Sequence, residues 1–131
     1  MRAPAGDGDY HPVLLLWPDA EDWPRAGEVD YAEVSDAGRQ SVDFFLHYGA
    51  RNSQTHAGKR LDVTAWHNYA VKWSATCVTG YIDGEQWFRD CTVSHLPPQA
   101  MHMIVQLDAF DGTGPYTPSD MCVDWIGQYA A

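Results

Sequence analysis

The 131-residue chain has eighteen aspartate and glutamate residues against eight lysines and arginines, a formal net charge of −10 at pH 7. A protein that follows a nucleic-acid backbone needs a positive face, so this balance argues against a nucleic-acid partner. No apolar run approaches the roughly 18 residues of a membrane-spanning helix, and 45% apolar residues indicate a folded chain. We expect a single domain over residues 1–131 with no membrane partner.

Short strands separated by turns dominate the pattern, and signals for helices are almost absent. Asp83-Gly84 is the strongest hairpin signal. The predicted loops are Asp19–Gly27, Gly49–Arg60 and Asp111–Pro118. The predicted strands are Val13–Trp17, Glu28–Val34, Ser41–Tyr48, Asn68–Ser74, Cys77–Ile82, Glu85–Arg89, His102–Leu107 and Met121–Tyr129. This spacing predicts an all-β fold, an antiparallel β-sandwich or jelly roll.

The three cysteines lack the spacing of a metal site. Cys77 and Cys91 flank the predicted hairpin almost symmetrically, which allows a disulfide between them. The first residues, Met1–Asp9, lack the apolar stretch of a secretory signal peptide. Either the protein is not secreted by that route or a leader lies outside this sequence. Without evidence of secretion, three buried thiols including Cys122 are favoured over a disulfide.

Three carboxyl side chains occupy the strand Glu28–Val34. Glu28 and Asp30 are two residues apart and point to the same face of a strand. Strict alternation sends Glu33 to the opposite face, and one extra residue looped out as a β-bulge would return it. Three neighbouring carboxyl groups oppose one another's ionisation, which raises the pKa of at least one of them.

A retaining glycosidase needs such an arrangement. One carboxylate attacks the anomeric carbon and a second, protonated carboxyl group about 5–5.5 Å away donates to the leaving oxygen. Asp30, in the middle, can share a proton with its neighbours and hold their pKa values apart. The alternative is a solvent-facing acidic strand, which is common in a protein of this charge.

The flanking motifs carry a resemblance to a known family. Trp17-Pro18 followed by Trp23–Glu33 resembles the active-site signature of glycoside hydrolase family 16, which includes laminarinases and other β-1,3(4)-glucanases. Further segments resemble the family's motifs in the same order along the chain: Ala5–Gly8, Phe45–Gly49, Trp66–Trp73, Gly80–Gly84 and Val123–Ile126.

The resemblance implies a partial or compact concanavalin A-like jelly roll with a sugar cleft on its concave face. It implies retaining endo-hydrolysis of β-1,3- or β-1,3/1,4-glucans, with Glu28 as nucleophile, Glu33 as acid/base and Asp30 as their helper. Trp23 resembles a sugar-stacking platform and His47 a contact within the cleft. The implied partner is a polysaccharide or oligosaccharide, and the family is typically extracellular.

Each of these aromatic and histidine positions has a structural alternative. Trp23 is equally compatible with a lid over the core, and His47 with a purely structural histidine. Trp66, Trp73 and Trp125 alternate with polar neighbours, so we expect them in the core.

Family members are usually considerably longer, and the portion without a counterpart here is N-terminal. A sandwich without those strands has open edges. The chain is then a compact member, a fragment, or a subunit whose edges a second copy or another partner covers. The family's metal site would draw on Asp124, but its other ligands fall in the missing portion, so no metal ion or cofactor is predicted. The alternative function is a non-catalytic carbohydrate-binding or assembly module with an incomplete cleft.

Overall fold

The computed structural model describes residues 1–110 and 114–130. The helical element of these residues is one 3-10 turn, Val93–His95. No helix in the described residues is long and apolar enough to cross a membrane. The strands are β1 (Tyr10–Pro18), β2 (Glu28–Glu33), β3 (Ser41–Tyr48), β4 (Ser53–Arg60), β5 (Tyr69–Trp73), β6 (Val78–Ile82), β7 (Glu85–Asp90) and β8 (Met101–Ala109).

The strands form two antiparallel sheets, one with the order β4-β3-β2-β1-β8 and one with the order β5-β6-β7. Phe44 of the large sheet stacks on Phe88 of the small sheet, with ring centroids 3.8 Å apart. A Cβ atom at Gly80 would lie 2.6 Å from Cε2 of Phe44, so the glycine makes this close packing of the sheets possible. The predicted β-sandwich is confirmed.

Alternation along β3 divides the large sheet into two faces. Val42, Phe44 and Leu46 are fully buried in the core. The side chains between them, including Phe45 and His47, point to the opposite face because successive residues of a strand alternate. This second face of the large sheet carries the candidate site.

The predicted bulge lies in β2. On β1, Leu15 pairs with Asp30 and Leu14 with Ala32, which leaves Tyr31 as the extra residue. Tyr31 is buried in the core, and the change of phase returns Glu33 to the face that carries Asp30.

Two element predictions are wrong. Gly49–Arg60, predicted as a loop, turns only as far as Asn52 and continues as β4, which pairs with β3 along its whole length. Its polar composition hid it, because an edge strand with solvent on one side needs few apolar residues. Met121–Tyr129, predicted as a strand, has one isolated bridge, between Cys122 and Arg2, and no further strand pairing within the described residues.

Other predictions need smaller corrections. Trp73 packs against the core as expected, but Trp66 and Trp125 are 53% and 63% exposed. Trp66 instead lies 5.4 Å beneath the guanidinium of Arg2. Strand β1 is longer than the predicted Val13–Trp17 because β8 pairs with it throughout. Of the predicted loop Asp111–Pro118, residues 111–113 lie outside the described residues and the remainder has no regular structure.

The preference for three thiols is also wrong. A disulfide joins Cys77 to Cys91 and closes the open end of the β6–β7 hairpin, one residue beyond the pair Val78–Asp90. The Asp83-Gly84 turn closes the other end, as predicted. Cys122 is a half-buried free thiol.

Candidate active site

The three carboxyl groups of β2 share one cleft on the outer face of the large sheet. Its volume of about 310 Å³ lies at the lower end of the range typical of small-ligand sites. All the site residues predicted from the sequence line it. Among the described residues, the lining consists of Val13, Trp23, Glu28, Asp30, Glu33, Phe45, His47, Gln54, Gln106 and Phe110.

Trp23 lies at the Glu28 end of the cleft. Its indole Nε1–H donates to Oε2 of Glu28 over 2.8 Å, and its ring stacks on Trp17 with centroids 6.2 Å apart. The side chain is 42% exposed, so it lines the cleft and does not serve as a lid on the core. Gly27 makes the turn into β2 possible, since its φ is +78° and a Cβ there would lie 2.7 Å from the carbonyl oxygen of His47.

Asp30 and His47 form a buried pair in the middle of the site. Nε2 of His47 lies 3.1 Å from Oδ2 of Asp30, and Nδ1 lies 2.8 Å from Oδ1 of Asn52. Asp30 and Asn52 each offer an oxygen acceptor to an imidazolium, which donates from both nitrogens, and Nε2 of Gln54 lies 3.2 Å from Nδ1 of the same ring. Burial is the largest influence on His47 and lowers its pKa. The hydrogen bonds to Asp30 and Asn52 outweigh it, and the net result is a raised pKa.

The pKa of Glu28 lies close to neutral pH. Burial, followed by the negative charge of Asp30, raises the pKa of Glu28 to about 7. The charge of His47 and the hydrogen bond from Trp23 oppose this rise because they favour the carboxylate. The close approach of the Asp30 carboxyl group raises the pKa of Glu28 further.

Glu33 lies at the other end of the row. Oε1 of Glu33 is 3.2 Å from Nδ1 of His11, and the strand pairing places Asp43 opposite Glu33. Burial raises the pKa of Glu33, the charges of Asp30 and Asp43 add to the rise, and the hydrogen bond from His11 opposes it. Both outer carboxyl groups therefore hold protons more tightly than an exposed glutamate.

The geometry would also bring three metal-ligand atoms together. One atom each from Glu28, Asp30 and His47 can lie within 4.8 Å of the others. A metal ligand must be a neutral imidazole, however, whereas the contacts of His47 with Asp30 and Asn52 favour its protonated form.

Sequence reasoning missed several cleft residues. Gln54 lies on β4, which was predicted as a loop, and Phe110 directly follows β8. His11 does not line the cleft itself; it precedes the predicted start of β1 and contacts Glu33 only through the β1–β2 pairing. Phe45 could have been found, because it alternates in phase with His47 along a correctly predicted strand.

Comparison with known families identifies relatives of the chain. The model of the family described as glycosyl hydrolases family 16 matches residues 1–127. The endo-1,3-1,4-β-glycanase EglC of Rhizobium meliloti (strain 1021) is 29% identical over 140 aligned residues, which cover 99% of this chain and 29% of that protein.

Solved structures share the fold. The laminarinase of Rhodothermus marinus superposes with a TM-score of 0.69 at 25% identity, over 79% of this chain and 49% of that one. The endo-β-1,3-glucanase of Pyrococcus furiosus superposes with a TM-score of 0.68 at 18% identity, over 90% and 54%. The chain thus spans about half the length of these two solved structures, whose fold is the predicted jelly roll. The family match over nearly the whole sequence confirms the resemblance found in its motifs: the chain belongs to family 16 of the glycosyl hydrolases.

Proposed function

We propose that residues 1–131 form one N-terminally short catalytic domain that cleaves β-1,3- or β-1,3/1,4-glucans internally with retention of configuration. The observation that supports this most directly is the row Glu28–Asp30–Glu33 on one face of the cleft, made possible by the bulge at Tyr31. A solvent-facing acidic strand would leave these groups hydrated, whereas burial raises the pKa of both Glu28 and Glu33.

In the first half-reaction, the Glu28 carboxylate attacks the anomeric carbon while Glu33 donates its proton to the leaving glycosidic oxygen. The bond between the anomeric carbon and that oxygen breaks, and its electron pair leaves with the oxygen. In the second half-reaction, Glu33 takes a proton from water, whose oxygen attacks the anomeric carbon and releases Glu28.

The neighbouring residues suit these roles. Trp23 and His47 both stabilise the ionised form of Glu28, which is its nucleophilic form. Asp30 adds a negative charge beside both glutamates, which raises the pKa of each, and we propose that it shares a proton with Glu28 during the reaction. The exposed ring of Trp23 offers an apolar face on which a sugar ring can stack at the Glu28 end of the cleft.

Glu28→Gln tests the assignment on laminarin and lichenan, with reducing ends measured over time. The amide keeps the shape of the side chain but cannot attack the anomeric carbon, so we expect activity to fall at least about 10³-fold. Glu85→Gln, an exposed charge change on the β6–β7 hairpin, is the matched control. Equal activity of Glu28→Gln and wild type would refute the role of Glu28.

Exposed apolar residues support one alternative, a non-catalytic carbohydrate-binding or assembly module. Trp125, Ile126 and Tyr129 are exposed apolar residues that follow the Arg2–Cys122 bridge, and a second copy or another partner could cover them. A chain that binds glucan oligosaccharides without releasing reducing ends would favour this alternative. Mass measurement during size-exclusion chromatography would show whether copies associate.

A further inference from the structure

We propose that His11 is a positioning residue that orients the Glu33 carboxyl group and controls its protonation. The inference rests on the proposed role of Glu33 as acid/base. The sequence motifs do not include His11, and its importance follows from its contacts alone.

The bulge brings His11 and Glu33 together. Val13 is the Cα partner of Glu33 on β1, and His11 lies two residues earlier on the same face. With regular alternation Glu33 would face the core, out of reach of His11. Instead Nδ1 of His11 lies 3.2 Å from Oε1 of Glu33, and both side chains are mostly buried, at 16% and 15% exposure.

A second contact restricts the His11 ring. Phe110 stacks on it with centroids 4.3 Å apart and an interplanar angle of 29°. The backbone N–H of Phe110 donates to the carbonyl oxygen of Asp9, which ties Phe110 to the start of β1. A stacked imidazole with a fixed partner loses much of its rotational freedom, so His11 presents Nδ1 to Glu33 in a defined direction.

At the Glu33 end of the cleft, His11 opposes the effect of the surrounding carboxylates on the pKa of Glu33. On β2 and β3, Asp30 and Asp43 both oppose ionisation of Glu33, and His11 favours it. The titratable groups next to the His11–Glu33 pair are Asp30 on β2, Asp43 on β3, His56 on β4 and Asp108 on β8. Nε2 of His56 lies 2.6 Å from Oδ1 of Asp43, and Asp108 is the Cα partner of His11.

The contact also distinguishes the two oxygens of Glu33. When Nδ1–H of His11 donates to Oε1, the transferable proton resides on Oε2. That proton moves from Oε2 to the leaving glycosidic oxygen in the first half-reaction, and Oε2 accepts a proton from water in the second. His11 touches neither sugar nor water in these steps and acts only through Glu33.

Two substitutions separate donation from shape. His11→Phe keeps a ring that can stack on Phe110 and removes the donor, whereas the amide of His11→Asn can place a donor close to the Nδ1 position. His102→Phe removes a similar bond, 2.8 Å from Nδ1 to Asp19 outside the cleft, and is the matched control. Thermal melts establish that each variant is folded. If His11→Phe does not fold, His11→Leu, which also lacks a donor, replaces it.

The first readout is the titration of Glu33, followed by carboxyl ¹³C NMR on the full chain. We expect its midpoint to move upward in His11→Phe, to return towards wild type in His11→Asn, and to stay unchanged in His102→Phe. An unmoved midpoint in His11→Phe, or identical midpoints in the Phe and Asn variants, overturns the proposal.

The second readout is the pH profile of glucan hydrolysis. We expect the alkaline limb of kcat/KM to move upward in His11→Phe, with kcat lowered roughly 10–100-fold and KM nearly unchanged. Lost activity with an unshifted alkaline limb in folded His11→Phe contradicts the proposal. If the wild type releases no reducing ends while the NMR midpoint still moves, the proposed function fails and the His11–Glu33 coupling stands.

Discussion

The indole N–H of Trp23 donates to the Glu28 carboxyl group across 2.8 Å, so a cleft-lining aromatic residue also bonds the proposed nucleophile. A donor aimed at a carboxyl group stabilises its ionised form. Under the proposed function, the same side chain would hold a sugar ring and keep Glu28 reactive. Substitution of Trp23 affects both functions, and the two effects separate in a pH profile.

Trp23→Phe should shift the acidic limb of activity. Loss of the indole donor raises the pKa of Glu28 above its value of about 7, so a higher pH is needed to ionise the nucleophile. We expect the acidic limb of kcat/KM on lichenan to move upward, with KM raised modestly because an aromatic face remains. Trp66→Phe, an exposed tryptophan outside the cleft, is the control. An unmoved acidic limb in Trp23→Phe would contradict the role of this hydrogen bond.

Glu28→Gln should be more stable than wild type at alkaline pH. The pKa of Glu28 is 4.5 in the unfolded chain and about 7 in the folded protein. The stabilisation from protonated Glu28 is therefore complete below pH 4.5 and is lost as the pH rises through 7. This shift alone corresponds to about 3 kcal/mol. Solvent screening of a partly buried group reduces it, and we expect a gain of roughly 1–2 kcal/mol.

Urea denaturation at pH 4 and pH 8 measures the difference between Glu28→Gln and wild type. The gain in the free energy of unfolding should be present at pH 8 and absent at pH 4. Glu85→Gln controls for the loss of one negative charge. A Glu28→Gln variant that is less stable than wild type at pH 8 would argue that Glu28 is not held against its own ionisation.

The carboxylate strand was predictable because its signals are local. Glu28, Asp30 and Glu33 lie within six residues, and their spacing makes sense only with a bulge, which the β1–β2 register contains. Alternation likewise predicts which face of β3 carries His47. The turn at Asp83-Gly84 has the backbone conformation, with φ of 52° and 85°, that this pair of residues favours.

The missed features depend on contacts between distant parts of the chain. His11 bonds Glu33 across 22 positions, and no local pattern marks that pairing. Strand β4 is polar because it lies at the edge of the sheet, a location that only the fold determines. Met121–Tyr129 has the apolar and aromatic residues typical of a strand, yet a strand also needs a partner, and composition carries no information about one.

His47→Gln should destabilise the fold most strongly below pH 6.5. Folding raises the pKa of His47 above its unfolded value of 6.5, so the protonated side chain stabilises the fold. This stabilisation is complete below pH 6.5 and is lost as the pH rises through the pKa of the folded state. We expect a loss of stability at pH 6 that is smaller at pH 9. Urea denaturation at the two pH values tests this, with exposed His102→Gln as the control. A loss that is equal at both pH values would show that His47 stabilises only by packing.

Removal of the Cys77–Cys91 disulfide should destabilise the small sheet and, with it, the sandwich. The bond closes a loop with a sequence separation of 14, for which the reduction in unfolded-state entropy gives about 3 kcal/mol. We expect Cys77→Ser/Cys91→Ser to lower the free energy of unfolding by about that amount, and dithiothreitol to lower it equally in the wild type. Cys122→Ser, at the half-buried free thiol, is the control and should change little.

If dithiothreitol also shifts the free energy of unfolding of the double variant, the reductant acts elsewhere. If the double variant has the same free energy of unfolding as untreated wild type, the bond does not stabilise the fold. Such a result would assign the stability of the β6–β7 hairpin to core packing alone, because Phe88 of β7 packs against Phe44.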